Sequence, residues 1–236
     1  MKTRTIIDIY KNLLKSYGPQ GWWPLLELGR IDYKPGDKHY GGYHPGDYSF
    51  PKNSSQIFEI CIGAILTQNT SWNQVCKALI NLKDRDLLDP NKVLRIDSKE
   101  LGSLIRPAGY FNQKARKLKI FSEYFIKLGQ RTPSREELLS VWGIGRETAD
   151  SILIYAFKVP TFVIDTYTKK IFLNLGLIQK DWDYDQIKAL FEKSIKPDLK
   201  IYQEYHALIV EHAKRYYSKG SDHKLDSLLY QIQKID

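Results

Sequence analysis

Two glycines separated by one residue stand before a predicted helix in the second half of the chain. Residues 141–149 read VWGIGRETA, so Gly143 and Gly145 bracket a single apolar residue. Glycine allows a tight turn and a close approach to another chain, and the following helix begins with unpaired amides at its positive end. Such a turn can hold a phosphate through its backbone alone, with Arg146 adding a charge beside it. The alternative is an ordinary corner between two helices whose glycines serve packing.

A single carboxylate follows one helix later, directly after an apolar run. Residues 163–167 read VIDTY, which places Asp165 at the end of that run. Burying an unpaired carboxylate is costly, so this acid needs partners or an exposed position. Asp165 also suits the N-cap of a helix that begins near Thr166. Both interpretations can hold together, because a capping bond would also fix the orientation of the carboxylate.

Helices must position both features, because apolar residues recur at helical spacing along most of the chain. No run alternates polar and apolar residues for long enough to indicate a strand of a sheet. The sequence therefore predicts an all-α fold. The predicted helices cover residues 57–66, a segment capped by Thr70 or Ser71, about 114–128, 147–158, 168–175 and about 202–217.

Residues 31–51 interrupt this helical pattern, because they are rich in glycine, proline and tyrosine. Glycine and proline at that density argue against regular structure. We expect a long surface loop between an N-terminal helix and the main helical body. Loops of this length are often functional or disordered, and the sequence leaves the role of this one open.

The composition favours a polyanionic partner and disfavours a membrane. The chain of 236 residues carries a net charge of +9, and a basic surplus attracts phosphates, although charge alone is weak support for nucleic-acid binding. No apolar run approaches the roughly 20 residues that span a bilayer, and the basic start of the chain is not followed by a signal-peptide core. We therefore expect a cytoplasmic protein with no membrane partner.

The cysteines and histidines give no metal site. Cys61 and Cys76 lie on apolar helical stripes, which predicts buried structural thiols. Two cysteines cannot supply the four thiolates of an iron–sulfur cluster, and they show no zinc spacing. The five histidines are scattered outside any metal motif, and we interpret them as surface or capping residues.

Three segments, taken in order and spacing, resemble the helix-hairpin-helix DNA glycosylase superfamily, the group that includes endonuclease III. They are the hairpin at 141–149, the carboxylate segment at 163–167 and the run GYFNQKA at 109–115. The resemblance extends from about residue 51 to 217 and is far more specific than the hairpin alone.

The resemblance implies two helical subdomains that flank a DNA-binding cleft, with a helix-hairpin-helix motif. Residues 1–50 and 161–236 would form the subdomain that carries the catalytic aspartate, and residues 51–160 would form a helical barrel that carries the hairpin. The expected partner is double-stranded DNA containing a damaged base, bound by a monomer, which suits a cytoplasmic protein associated with the nucleoid.

The resemblance also assigns roles to residues. The catalytic aspartate falls on Asp165, where a carboxylate would stabilise the positive charge that develops on the sugar and orient or deprotonate the attacking water. Gln68, in the loop LTQNT at 66–70, falls where a glutamine enters the gap left by a flipped base. The residues expected to contact DNA are Gln68, Asn69, Gly143, Ile144, Gly145, Arg146, Thr148, Lys114 and Lys169. For the basic ones, a solvated helix face is an equally good explanation.

Two departures from the family pattern narrow the expected chemistry. Members that also cut the strand carry a lysine two residues after the second hairpin glycine, and this chain has Glu147 there. A carboxylate cannot form an imine, so we expect a monofunctional glycosylase that leaves an abasic site. Tyr217 stands where the first cysteine of an iron–sulfur cluster would be, so we expect no cluster and no other cofactor.

Within the superfamily, the chain is most similar to a bacterial 3-methyladenine DNA glycosylase branch. The shared features are the segment WWP at 22–24, the loop LTQNT and the segment RPAG at 106–109. Because aromatic faces attract cationic bases, Trp22, Trp23 and Pro24 are the candidates for the base pocket, with core anchoring as the alternative. A glycosylase for a mismatched or oxidised pyrimidine, or a helix-hairpin-helix DNA-binding protein without catalysis, is the rival interpretation.

Overall fold

The computed structural model describes residues 2–29, 42–218, 222, 224 and 226–229, and within these it is all-helical, as predicted. The only β-type contact among the described residues is one antiparallel bridge between Leu25 and Gly42. None of the described helices has the length and apolarity to cross a membrane. The helices are α1 (Lys2–Tyr17), α2 (Ser54–Leu66), α3 (Trp72–Asp84), α4 (Pro90–Arg95), α5 (Ser98–Leu104), α6 (Phe111–Leu128), α7 (Arg135–Ser140), α8 (Arg146–Ser151, continued by a π-helical stretch Ile152–Ala156), α9 (Thr166–Asn174), α10 (Tyr184–Ser194) and α11 (Leu199–Tyr216).

The chain divides into two compact units. The terminal unit comprises Met1–Trp22 and Val159–Asp236, and the central unit comprises Trp23–Lys158. The first division therefore falls between Trp22 and Trp23, earlier than the predicted boundary at residue 50. The described residues from 23 to 29 belong to the central unit because Leu25 bridges Gly42 and the Leu26 amide donates to Glu59 of α2. Much of the irregular segment predicted at 31–51 lies outside the described residues.

The central unit is built around α2, which is apolar on nearly every face. Ten of its residues are buried, from Gln56 to Leu66, as expected for a helix without a polar side. The Asn53 side chain caps its first turn by accepting from the Gln56 amide. α6 packs one face against this helix through contacts such as Phe58 with Phe125, whose ring centroids are 5.1 Å apart.

An aromatic cluster fills the core of the terminal unit. Phe162 stacks on Phe191 of α10 with ring centroids 4.2 Å apart, and Tyr205 of α11 meets both rings edge-on. The segment Phe162–Ile164 is buried beside this cluster. The chain is therefore anchored immediately before Asp165.

A second, polar cluster closes the end of α11 in the same unit. Tyr217 donates to the Asp226 carboxylate at 3.0 Å, and His212 lies 2.9 Å from the same oxygen. The other ring nitrogen of His212 pairs with the Tyr17 hydroxyl of α1 at 2.8 Å. Because buried polar groups need partners, this network fastens α1 and the residues after α11 to that helix.

Glu59 is a buried carboxylate in α2, and its carboxylate oxygen accepts from the Leu26 amide at 2.7 Å. Burial raises the pKa of Glu59 from about 4.5 to about 7, because removal from water penalises the charged form. A raised pKa contributes stability that is fully present below pH 4.5 and is lost as the pH rises through 7.

We therefore expect Glu59→Gln to flatten the pH dependence of stability between pH 5 and 8. The wild type should lose up to about 3 kcal/mol of unfolding free energy from this group over that range, and the variant should not. The glutamine oxygen can still accept from Leu26, so the fold is preserved. Urea unfolding at a series of pH values measures the difference, and parallel curves for the two proteins would contradict it.

Candidate functional site

Asp165 is the N-cap of α9, which confirms its predicted capping role. One carboxylate oxygen accepts from both the amide and the hydroxyl of Thr168, each at 2.7 Å. Thr168 is completely buried, so the two hydrogen bonds that anchor the carboxylate are shielded from solvent. The second oxygen lies 3.8 Å from Nε2 of His206. The cap therefore orients the carboxylate and leaves one oxygen outside the capping bonds.

His206 lies beside this second oxygen, in the middle of α11. The imidazole is buried, and burial lowers its pKa while the charge of Asp165 raises it. Because the neutral form is favoured, His206 does not neutralise the carboxylate as a cation would. The interpretation of all histidines as surface or capping residues is wrong for His206 and His212, which are both buried. The sequence signal for the burial of His206 was the pair Tyr202 and Val210, which lie one helical turn to either side of it.

Trp22 is a predicted pocket residue that contacts His206, the neighbour of Asp165, within the terminal unit. Its ring meets His206 edge-on with centroids 5.5 Å apart, and its side chain is half-buried. Trp22, His206 and Asp165 therefore form one continuous cluster in the terminal unit. This cluster offers an aromatic ring and a fixed anionic oxygen, the two features that a cationic base and a developing positive charge require.

Trp23 and Pro24 are core residues of the central unit instead of exposed pocket residues. The Trp23 ring lies 5.2 Å from that of Trp72 and 5.4 Å from that of Tyr155. Gly63 of α2 gives this ring its space, because a Cβ there would come within 3.1 Å of the indole nitrogen. For Trp23, the alternative interpretation as a core anchor is the one the contacts support.

The hairpin is built by two glycines that serve different purposes. Gly143 has φ +88°, and a Cβ on it would lie 2.7–2.9 Å from the side-chain carbons of Lys117. Gly145 has an ordinary extended backbone, and a Cβ on it would meet nothing within 4 Å. Gly143 is thus required by conformation and packing, whereas Gly145 leaves open space at the start of α8. That open space is what a phosphate approaching the first amides of α8 needs.

Gln68 is bound to the hairpin. Its amide nitrogen donates to the Gly143 carbonyl at 3.1 Å and to the Thr148 hydroxyl at 3.0 Å, and its oxygen accepts from the Lys117 ammonium. The residue predicted to enter the DNA therefore ties the 66–70 loop to both arms of the hairpin. In this arrangement Asn69, with φ +55°, is the exposed tip of the loop.

The other predicted DNA contacts divide into exposed and buried side chains. Arg146 on α8 and Lys169 on α9 are exposed, whereas Ile144 and Thr148 are buried. The Ile144 amide already donates to the Val141 carbonyl at 3.0 Å, so of these two residues only Thr148, in the first turn of α8, can offer a backbone amide. Lys114 is only 2% exposed, and its ammonium donates to the carbonyls of Leu66 and Ala108, each at 2.8 Å. Its predicted contact with a DNA phosphate is therefore corrected, because both the burial and the hydrogen bonds direct the charge inward.

Two exposed aromatic residues in the central unit were missed by the sequence analysis. Tyr110 is 66% exposed with φ +46° at the start of α6, and Trp142 is 46% exposed at the start of the hairpin. The Arg116 guanidinium lies over the Trp142 ring at 4.3 Å. An exposed aromatic beside a tight turn was the available signal, but apolar residues at these positions are more often part of the core.

Glu147 is exposed in the first turn of α8, two residues after Gly145. A carboxylate is favourable at this end of a helix because it complements the dipole. The position that carries an amine in strand-cutting members of the resembled family therefore holds a stable acidic residue here.

The cysteines do not fit a four-thiolate cluster. Cys61 and Cys76 are buried in α2 and α3, and burial raises the pKa of both thiols, that of Cys76 to about 12. Thiolate ligation is disfavoured where the charged form is penalised. Across the described ranges, no group of three or more His, Cys, Asp and Glu side chains could hold a metal ion.

Comparison with known proteins finds similarity to DNA repair proteins. Residues 62–197 match the family described as HhH-GPD superfamily base excision DNA repair protein. A protein of Methanocaldococcus jannaschii that is provisionally named a DNA repair glycosylase is 42% identical over 229 residues, covering 92% of this chain and 91% of that protein. Endonuclease III of Thermotoga maritima is 31% identical, covering 64% of this chain and 71% of its own length.

Solved structures share the fold. The H. pylori 3-methyladenine DNA glycosylase MagIII, in a crystal structure bound to 1,N6-ethenoadenine, superposes with a TM-score of 0.67 at 29% identity over 90% of this chain and 97% of that one. An endonuclease III in a non-covalent DNA complex superposes with a TM-score of 0.74 over 100% of this chain and 98% of that one, at 19% identity. The second likeness concerns the fold alone.

The two glycines provide a matched pair of variants. Gly145→Ala should leave the melting temperature unchanged but weaken duplex DNA binding, because its methyl group would occupy the open space before α8. Gly143→Ala should lower the unfolding free energy by roughly 1–2 kcal/mol as well, because φ is positive and Lys117 must move. Thermal unfolding and fluorescence anisotropy measure the two effects. Equal DNA affinity of Gly145→Ala and wild type would contradict close approach of a phosphate.

Proposed function

Since the chain belongs to the HhH-GPD superfamily of base excision DNA repair proteins and is a DNA glycosylase, we propose that it is a monofunctional enzyme for alkylated purines of the 3-methyladenine type. It hydrolyses the bond between base and sugar and leaves an abasic site in an intact strand. Glu147 is the observation that carries the monofunctional assignment, because the position offers no amine for an imine.

The reaction begins when the damaged nucleotide is extruded from the duplex, since a stacked base is out of reach. The bond between C1′ and the base nitrogen breaks, its electron pair leaves with the base, and positive charge develops on the sugar. The Asp165 oxygen outside the capping bonds stabilises this charge. A water molecule then forms the new bond to C1′ and gives its proton to the carboxylate.

The geometry of Asp165 suits this role because its other oxygen is fixed by two hydrogen bonds from Thr168. The catalytic oxygen therefore needs little reorganisation during the reaction. His206 borders it without adding a positive charge, since burial favours the neutral imidazole. An ionised carboxylate at the edge of a buried cluster exerts a stronger field than one in water.

An alkylated purine of this type is cationic and is already a good leaving group, so the pocket mainly has to hold it. Trp22 offers a half-buried aromatic ring in the same cluster as Asp165, and aromatic faces attract cations. The substrate named for the H. pylori relative, 29% identical, supports the same lesion class. We also infer that the chain acts as a monomer on damaged double-stranded DNA and that it needs no cofactor.

A lesion panel tests the substrate and Asp165 together. Methylated duplex DNA should release 3-methyladenine, and Asp165→Asn should lower the rate by about 10²–10³-fold, the size expected when a key electrostatic contact is lost. The asparagine oxygen can still accept from Thr168, so the cap survives. Asp183→Asn, which alters a comparable cap on α10 of the same unit, should keep full activity.

The panel also separates the rival functions. Release of a mismatched or oxidised pyrimidine in place of 3-methyladenine would reassign the lesion, and tight DNA binding with no base released from any lesion would indicate a binding protein without catalysis. Full activity of Asp165→Asn would exclude the proposed mechanism.

Strand cleavage provides an independent prediction. In the presence of borohydride, the wild type should give no covalent adduct with abasic DNA, and the strand should remain intact until alkali is added. Glu147→Gln should release base as the wild type does, because neither side chain can form an imine. A borohydride-trapped adduct through any lysine would overturn the monofunctional assignment.

A further inference from the structure

Lys114 is a buried cation whose ammonium is held by main-chain oxygens. Its Nζ lies 2.8 Å from the carbonyl of Leu66 and 2.8 Å from that of Ala108. Burial, and to a smaller extent the charge of nearby Lys117, together lower the pKa of Lys114 to about 8. Removing an ammonium from water is costly unless hydrogen bonds replace the lost solvation. The two carbonyls supply that replacement, so the contact ties both segments to α6.

These two carbonyls stand directly before two exposed loops. Leu66 is the last residue of α2, and the loop that follows contains Asn69 with φ +55°. Ala108 ends the turn that leads through Gly109 to Tyr110, with φ +46°. A non-glycine residue at positive φ is strained and persists only where its surroundings fix it. Both strained, exposed residues therefore depend on segments that Lys114 holds.

We propose that Lys114 is a positioning residue that clamps the loops carrying Asn69 and Tyr110 so that both are presented together to DNA at an abasic gap. This rests on the proposed function, because it assumes that these loops face the DNA. Asn69 offers a polar side chain and Tyr110 an aromatic face that can stack on a base. Lys114 itself contacts no phosphate, and its effect passes through the two loops.

The same helix contains a matched control. Lys119 of α6 donates from its ammonium to the carbonyls of Leu94 at 2.9 Å and Ile96 at 2.5 Å. It therefore makes the same kind of contact, but to the C-terminal end of α4 instead of the two loops. Replacing either lysine by methionine removes one charge and two hydrogen bonds from α6. Only the Lys114 variant releases the loops.

The test compares the wild type with Lys114→Met and Lys119→Met on a duplex containing a tetrahydrofuran abasic analogue opposite 2-aminopurine. Lys114→Met should lower the affinity at least tenfold and abolish the fluorescence change of 2-aminopurine, while Lys119→Met stays within twofold of wild type. The slope of log affinity against log salt should be the same in all three proteins. Loss of a direct phosphate contact would instead reduce that slope by about 0.9.

A reduced salt slope in Lys114→Met, or equal losses in both methionine variants, would overturn the clamp. Tyr110→Ala and Asn69→Ala alter exposed side chains and keep the test decisive where Lys114→Met does not fold. Each should weaken binding to the abasic duplex with an unchanged salt slope, and wild-type affinity in both would overturn the proposal. Because the readout is binding, it is independent of base release, and failure of the 3-methyladenine assay leaves this result standing.

Discussion

A carboxylate that must act on one atom has to remain charged, and it also has to be held still. Water keeps it charged but lets it move, while a protein core holds it still but penalises its charge. Asp165 is held still because the buried residues Phe162, Val163 and Ile164 anchor the chain before it, and Thr168 in the first turn of α9 donates to one of its oxygens. Its position at the start of α9 is one where the helix dipole favours a negative charge. The aromatic cluster of the terminal unit is thus the support on which the proposed chemistry depends.

In the central unit, polar side chains hold exposed loops in place, largely by hydrogen bonds to main-chain carbonyls. Its exposed loops must keep strained conformations near a hairpin that itself needs a residue at positive φ. Gln68 bonds to the Gly143 carbonyl and to Thr148, and Lys114 bonds to the carbonyls before the two loops. These contacts are specific in direction, so they fix the loops more narrowly than apolar packing does. Lys117 links the two sets by donating to Gln68.

The sequence predicted the features that depend on local order. The glycine pair, the acid after an apolar run and the helical period are properties of neighbouring residues, and the hairpin, the cap at Asp165 and the all-α fold are found as predicted. Lys114 was misread because helical spacing cannot separate a solvated face from one that folds against another segment. For Trp23 the sequence left a base pocket and a core anchor open. The burial of His206 was not predicted, although the apolar and aromatic residues one helical turn to either side of it are buried with it.

The two tryptophans at the boundary between the units show a further limit of prediction from sequence. Trp22 and Trp23 are adjacent in sequence and identical in type, yet Trp22 lies beside His206 and Trp23 lies beside Trp72 and Tyr155. The different surroundings of the two rings are set by residues 40 or more positions away along the chain. No property of the WWP segment alone distinguishes an aromatic ring near the carboxylate from one in a core.

Lys114 and Lys117 are the lysines to consider as alternative imine-forming amines, given that Glu147 cannot form an imine. A lowered pKa is what an imine-forming amine requires, and burial lowers the pKa of both Lys114 and Lys117. Yet each ammonium is already engaged, Lys114 with two carbonyls and Lys117 with Gln68. Freeing either one for attack on a sugar would release the loops or the hairpin from these contacts. Lys114 and Lys117 are therefore both engaged in structural contacts, and the exposed position at the start of α8 holds an acid.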